Sequence, residues 1–426
     1  MKYFIKIYGC QMNKSDAERV ASLLQSIGYK ATKTIDQADL IILVTCSVRQ
    51  SAEDRVYGLM RQIKKLKAHN PQLKIVLTGC MALRKESIKR LKDIDVFLNI
   101  KDLPGLPKLL NKKSEQDKIE TYFSIKPQYE SSFTAYVPIM TGCNNYCSYC
   151  VVPYVRGREE SRSPQEIISE VKGLIKNGYK EIFLLGQNVN SYSPKLKIQS
   201  SESIKDFPDL LEQIAKLTGK FWIRFLTSHP KDLSDKLIKV ITKYDKITEY
   251  INLPIQSGDD QILKKMNRGY TVAHYKNLIK KIRQQIPNAA ISTDIIVGFP
   301  GETKEQFKNT CKLFEEIKFD MAYINQYSPR QETVAARLKD NVSKAEKKRR
   351  DKVLTVILSK TALANNQKLV GETLEVLVDA KKSEYWLGKT RTFKVVKFKS
   401  NKDLLGKFVK IKIARAESFG LWGNLV

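Results

Sequence analysis

Thr141-Gly142-Cys143-Asn144-Asn145-Tyr146-Cys147-Ser148-Tyr149-Cys150 closes an apolar run, Ala135–Met140, that reads as a β-strand. Three thiols on one short loop leaving a strand can hold three irons of a [4Fe–4S] cube, leaving the fourth iron without a protein ligand. That iron is open to a further molecule. A zinc site is the competing reading, but structural zinc takes four protein ligands, and His69, His229 and His274 all lie far from this loop in sequence.

Downstream, further strand candidates alternate with helical stretches, at Glu181–Leu185, Trp222–Leu226, Tyr250–Ile255, Ala290–Val297 and Ala322–Tyr327. Six such units predict an α/β fold whose parallel sheet curls into a partial barrel or stays open and doubly wound. Chemistry in such sheets gathers at the carboxyl ends of the strands, where TGC, LGQNVN, TSHP, QSGDD, GFPGE and YSPR fall. A seventh cysteine, Cys311, stands between Phe307 and Phe314 on a helical face, and packing explains it.

Upstream, one plan repeats three times: an apolar strand-like run ends in a cysteine and a helical stretch follows. The runs are Lys2–Tyr8 before Gly9-Cys10, Leu40–Val44 before Thr45-Cys46, and Lys74–Leu77 before Thr78-Gly79-Cys80. The cysteines are 36 and 34 residues apart, which suits successive βαβ units and places all three at one edge of a parallel sheet. A lone cysteine at a strand end is ordinarily a small buried hydrophobe, whereas three in phase at one edge point to a second metal site.

The expected organisation is an N-terminal α/β sheet domain over 1–112, a polar Lys-rich linker over 113–132, the partial barrel over 133–360 and a small β-barrel over 361–426. The last unit is read from TLEVLVDA, TFKVVKF and FVKIKIA with intervening glycines. It follows a basic helical connector bearing Lys344, Lys347, Lys348, Arg349, Arg350 and Lys352. Its thirteen Lys and Arg against six Asp and Glu give +7, and the whole chain of 426 residues carries +30. Such charge attracts polyanions, nucleic acid first among them, although a solvated Lys-rich face has the same composition. MKYFIKIY lacks the apolar core of a signal peptide, and no window is long and apolar enough to span a bilayer. A cytoplasmic location without membrane contact is expected.

Taken in order, YGCQMNKSDAERV, TCSVRQSAEDRVYGLM, TGCMA, TGCNNYCSYCVVPYVRGREESRSP, LLGQNVNSY, TSHPKDLSD, LPIQSGDDQILKKMNRGYT, STDIIVGFPGET and YSPR resemble, over essentially the whole chain, the methylthiotransferase family of radical S-adenosylmethionine enzymes. LLGQNVNSY is similar to the branch that modifies prenylated adenosine in tRNA. GKTRTFKVVKF resembles the corresponding segment of a TRAM domain. Two departures stand out: Val44 where an asparagine often precedes Thr-Cys, and Gln331-Glu332-Thr333 where Pro-Gly-Thr usually follows Ser-Pro-Arg.

The resemblance implies a radical S-adenosylmethionine tRNA methylthiotransferase with two [4Fe–4S] clusters. One is on Cys143, Cys147 and Cys150 and cleaves S-adenosylmethionine; an auxiliary one is on Cys10, Cys46 and Cys80 and carries or donates sulfur. Cofactor contacts are implied at Gln187, Asn188, Gln256, Ser257, Gly298 and Glu302, though Gly298–Glu302 also reads as a simple strand-to-helix turn. His229 could face the site or cap a turn. The implied reaction adds a methylthio group to C2 of N6-dimethylallyladenosine at position 37 of a tRNA anticodon loop, using two S-adenosylmethionine molecules. A flavodoxin or ferredoxin is the expected reductant and a monomer the expected state. The alternatives are the same chemistry on N6-threonylcarbamoyladenosine or on a ribosomal-protein aspartate, and a non-catalytic iron–sulfur protein for RNA binding or electron transfer.

Overall fold

The computed structural model describes residues 1–47, 50–112, 120–194 and 204–426. Residues 113–119 of the expected linker and residues 48–49 of the second N-terminal motif lie outside them.

The first sheet is built from β1 (Lys2–Tyr8), β2 (Lys30–Ala31), β3 (Leu40–Thr45), β4 (Lys74–Gly79) and β5 (Val96–Leu98), all parallel in the order β2-β1-β3-β4-β5. Every residue of β3 is buried, as a central parallel strand covered on both faces requires. Val44 takes its place there at 0% exposure, in one apolar cluster with Val20, Leu24, Leu40 and Ile42, which its side chain suits better than an amide would. The strand order reverses between β1 and β3. Such a switch point opens a crevice beyond the carboxyl ends, and Cys10 and Cys46 follow those two strands.

The second region holds β6 (Thr134–Pro138), a small ribbon of β7 (Met140–Thr141) and β8 (Glu160–Ser161), then β9 (Glu181–Leu185), β10 (Trp222–Phe225), β11 (Tyr250–Asn252), β12 (Ala290–Val297) and β13 (Met321–Gln326). Two parallel three-stranded sheets, β10-β9-β6 and β11-β12-β13, are joined by a single bridge between Ile223 and Ile247. The curling six-strand sheet is therefore a partial barrel whose strands follow chain order. Its largest apolar core lies between the sheet and the surrounding helices, and Cys311 packs against it from the helix Lys304–Ile317.

The third region is a closed barrel of β14 (Thr373–Lys382), β15 (Tyr385–Thr390), β16 (Val395–Lys399), β17 (Phe408–Glu417) and β18 (Gly420–Leu425). It docks at the amino-terminal rim of the partial barrel, opposite the cysteine-bearing rim. Buried Arg224 donates to the carbonyls of Thr390 (2.8 Å) and Arg391 (2.7 Å), Arg391 pairs with Glu249, and Lys394 pairs with Asp320 at 2.6 Å. Phe393 stacks against Tyr250 and Phe183. The segment GKTRTFKVVKF thus spends Arg391 and Lys394 on holding the two barrels together. In the connector helix Lys344–Gln367, Lys347 and Arg350 are likewise buried and paired, with Asp340 and Glu302, which takes them out of the basic surface expected there. Among the described residues no helix is long and apolar enough to cross a membrane.

Candidate functional site

The three N-terminal cysteines are knitted together around one carbonyl. Thr45 O accepts from the Cys80 N–H at 2.9 Å and from Asn13 Nδ2 at 3.0 Å, while Asn13 Oδ1 accepts from the Cys10 N–H at 3.2 Å. Glycines make this possible. Gly79 has φ +87° and a Cβ there would stand 2.3 Å from Thr45 O; a Cβ on Gly9 would stand 1.9 Å from Asn13 Oδ1. Cys46 and Cys80 are buried, and Cys10 is reached by solvent. Protein mass still surrounds Cys10, and the resulting desolvation raises its thiol pKa, opposed by the charge of Arg156 and reinforced by the neighbouring Cys80.

The barrel triad sits on the loop between β7 and the short helix Val152–Val155. Gly142 has φ +80° and would place a Cβ 2.1 Å from Arg158 O, so the loop must begin with glycine before Cys143. Asn267 Nδ2 donates to Tyr146 O at 3.0 Å, holding that residue in the left-handed region at φ +44°. Ser148 N donates to Met266 O and its hydroxyl to Lys265 O. Burial, then the charge of Cys147, drives the Cys150 thiol up to about 12; burial also raises Cys143. Thiols that oppose one another's ionisation become thiolates readily when cationic iron binds. No disulfide joins any of the seven cysteines. No three His, Cys, Asp or Glu side chains among the described residues converge on a single-ion site. In a cube each thiolate binds a different iron, so three such ligands need not converge on one point.

The two triads are neighbours. Cys80 packs against Val151 and Val155, directly after Cys150. Arg156 Nε donates to Cys80 Sγ at 3.4 Å, and its Nη2 to buried Asp16 at 2.6 Å, while Asp16 also accepts from Tyr122 at 2.7 Å. A second arginine serves the barrel triad: Arg268 donates to Cys147 Sγ at 3.3 Å, to Pro254 O and to Tyr270 Oη. On the far side, Arg330 meets Glu53 at 3.1 Å and Gln50 at 2.8 Å, with the charge of Cys46 also acting on it. Arg84 pairs with Glu53 and, at 3.4 Å, with Glu332, so the Gln331-Glu332-Thr333 departure supplies an ion pair between the N-terminal region and the loop after β13.

Around the barrel rim, Gln187 accepts from the Gly142 N–H at 2.6 Å and so braces the cysteine loop. Asn188 is buried with Nδ2 on Asp232 and Oδ1 unpartnered. Gln256 adopts φ +77° at the bridge to β12, and Ser257 is buried with its hydroxyl accepting from the Asp259 N–H. Gly298 donates to Glu302, whose carboxylate also binds Arg350 at 2.6 Å; Glu302 is thereby held as the brace of its own turn. His229 caps the turn Pro230–Asp232 through Nδ1 and leaves Nε2 buried without a partner. Desolvation, then Arg268 and Lys231, pull its pKa down to about 2, so it is a neutral imidazole. Asn188 Oδ1, Ser228 Oγ and His229 Nε2, all unpartnered on neighbouring strand ends, are what a polar ligand would leave when removed. Arg156, Arg268, Asn13 and Ser228 were not singled out from sequence. They stand inside quoted motifs, but no spacing shows that an arginine will face a sulfur.

The radical SAM superfamily matches residues 137–314, the Uncharacterized protein family UPF0004 residues 2–99 and the TRAM domain residues 367–426. The tRNA-2-methylthio-N(6)-dimethylallyladenosine synthase of Thermoanaerobacter pseudethanolicus is 44% identical over 440 residues, covering 100% of this chain and 92% of that protein. The protein of the same name from Clostridium botulinum strain Loch Maree is 44% identical, covering 99% and 96%. Among solved structures, the radical S-adenosylmethionine methyltransferase TsrM of Kitasatospora setae is similar with a TM-score of 0.56 at 11% identity, covering 79% of this chain and 77% of that one. The cobalamin-dependent radical enzyme OxsB gives 0.54 at 13% identity, over 83% and 55%. At these identities the structural likeness concerns the fold.

Proposed function

This chain belongs to the tRNA-2-methylthio-N(6)-dimethylallyladenosine synthase family of radical S-adenosylmethionine enzymes, and we propose that it methylthiolates C2 of N6-dimethylallyladenosine at position 37 of tRNA with two [4Fe–4S] clusters. The observation that carries this reading is the juxtaposition of two thiol triads across one interface, Cys80 lying against Val151, Val155 and Arg156 of the barrel loop. A radical source and a sulfur carrier must both reach one carbon atom. Triads on separate faces could not serve it.

Cys143, Cys147 and Cys150 would hold the cluster that gives an electron to S-adenosylmethionine, yielding methionine and the 5′-deoxyadenosyl radical. Cys10, Cys46 and Cys80 would hold the sulfur-bearing cluster. Asn188, Ser228 and His229 offer unpartnered polar atoms to the cofactor, Gln256, Ser257 and Gly298 line the adjoining strand ends, and Gln187 and Glu302 keep the surrounding turns in place. With Nδ1 accepting from the Lys231 N–H, a neutral His229 carries its proton on Nε2 and offers a hydrogen-bond donor without adding charge to the site. The TRAM barrel supports RNA as the substrate's chemical class, its docking at the opposite rim leaving the cysteine-bearing rim uncovered by it.

The test is anaerobic: reconstitute with iron and sulfide, add dithionite, S-adenosylmethionine and prenylated tRNA, then analyse nucleosides by mass spectrometry. The 2-methylthio nucleoside is expected, with two cofactor molecules consumed per product. A 5′-deoxyadenosine signal with unchanged prenylated nucleoside, and methylthiolation of threonylcarbamoyladenosine instead, would move the substrate assignment to the alternative branch.

A further inference from the structure

Arg156 is a barrel residue, six positions after Cys150, yet its guanidinium lies in the N-terminal sulfur site at 3% exposure. Nε donates to Cys80 Sγ at 3.4 Å, Nη2 is fixed by Asp16 at 2.6 Å, and Asp16 is itself completely buried and held by Tyr122. The third nitrogen, Nη1, is buried with no partner. A buried guanidinium donor left unpaired is costly, so its persistence beside Cys80 and Cys10 points to an acceptor that belongs there. The contrast with Arg268 sharpens this. Arg268 is just as buried and also faces a cysteine, yet all three of its nitrogens are satisfied, by Cys147, Tyr270 and Pro254.

Resting on the assignment of Cys10, Cys46 and Cys80 as cluster ligands, we propose that Arg156 is the positioning residue of the sulfur-carrying site, hydrogen-bonding Cys80 through Nε and a non-protein sulfur ligand, sulfide or a methylated sulfide, through Nη1. A hydrogen bond to a cluster sulfur raises its reduction potential, because it stabilises the more negative reduced state. A donor to the carried sulfur also orients it, and its position in the barrel chain keeps that orientation in register with the radical site. Asp16 aims the donor.

The experiment uses full-length protein in which Cys143, Cys147 and Cys150 are all replaced by alanine, so that only the N-terminal triad can take a cluster. After anaerobic reconstitution, reduction potential is followed by electron paramagnetic resonance and sodium sulfide is titrated against the same spectrum. Arg156→Gln and Arg156→Lys in this background are expected to retain about four irons, to lower the potential and to weaken sulfide binding roughly tenfold, one charge-assisted hydrogen bond's worth. Arg156→Lys keeps the ion pair with Asp16 and serves where Arg156→Gln does not fold. Arg268→Gln in the same background is expected to change neither quantity. Full iron with potential and sulfide affinity unmoved in both Arg156 variants, or equal shifts in Arg268→Gln, would overturn the role of Arg156. Failure of the triple-alanine protein to bind iron would instead overturn the ligand assignment on which it rests.

Discussion

The two cysteine triads solve one problem in opposite ways. The barrel triad lies on eight consecutive residues, and a single loop with one left-handed glycine and one left-handed tyrosine gives it its shape. The N-terminal triad is collected from three strand ends by a shared carbonyl, that of Thr45, and an arginine from the end of a barrel-region helix reaches one of its sulfurs. A site on one loop depends on local backbone geometry; a site gathered by a sheet depends on the whole domain. The first should tolerate damage to its neighbour, and the second should fail piecemeal.

The largest expected effect separates the two functions. Cys147→Ala is expected to abolish both 5′-deoxyadenosine and methylthio product, with bound iron falling from about eight to about four. Cys46→Ala is expected to lose the same amount of iron and all product while 5′-deoxyadenosine formation continues, assayed by chromatography of the small molecules. Loss of 5′-deoxyadenosine in Cys46→Ala would break the comparison, since the radical step would then need both triads.

Next in size are the glycines. Gly79→Ala meets a left-handed cost of about 1–2 kcal/mol and a clash with Thr45 O at 2.3 Å, and should cost the N-terminal cluster, leaving roughly half the iron. Gly142→Ala meets Arg158 O at 2.1 Å and should cost the barrel cluster and the cleavage activity. Visible absorbance and iron content of the two variants check whether each fault stays on its own side.

The smallest effect concerns the seam between the domains. Glu18 accepts from the Glu130 N–H at 3.2 Å while its Oε2 is buried without a partner, and burial raises its pKa from 4.5 to about 7. The folded state therefore holds this proton more tightly than the unfolded chain. Stability falls as pH rises from about 4.5 to about 7 and levels off above. Glu18→Gln is expected to stabilise by on the order of 2 kcal/mol at pH 8 and by nothing near pH 4, measured by denaturant unfolding at the two pH values. An unchanged pH dependence would place the sensitive group elsewhere.

Much of this was legible in the chain. Short β-type runs rich in aromatic and β-branched residues and bounded by turn signals located Lys2–Tyr8, Glu181–Leu185 and Ala290–Val297 to the residue, because such side chains fit a pleated sheet and the chain must turn where they stop. Tyr385–Thr390 and Gly420–Leu425 were not read, since their inward positions alternate with polar ones and include glycines packed under neighbouring strands. Charge predicts either nucleic-acid contacts or a solvated face for the basic tail, whereas Arg391 and Lys394 are docking residues; charge in a sequence does not say which partner takes it.

By itself the sequence determined which thiols can act together, because cysteine spacing on one loop, and cysteine phase at successive strand ends, are consequences of chain geometry. Tertiary structure alone decided that the two triads meet, that Arg156 of one region serves the sulfur of the other, and that Asn188, Ser228 and His229 keep unpartnered atoms at one rim. These are contacts between residues separated by tens to more than a hundred positions. Only the packing of one sheet on another fixes such distances, and no local pattern encodes them.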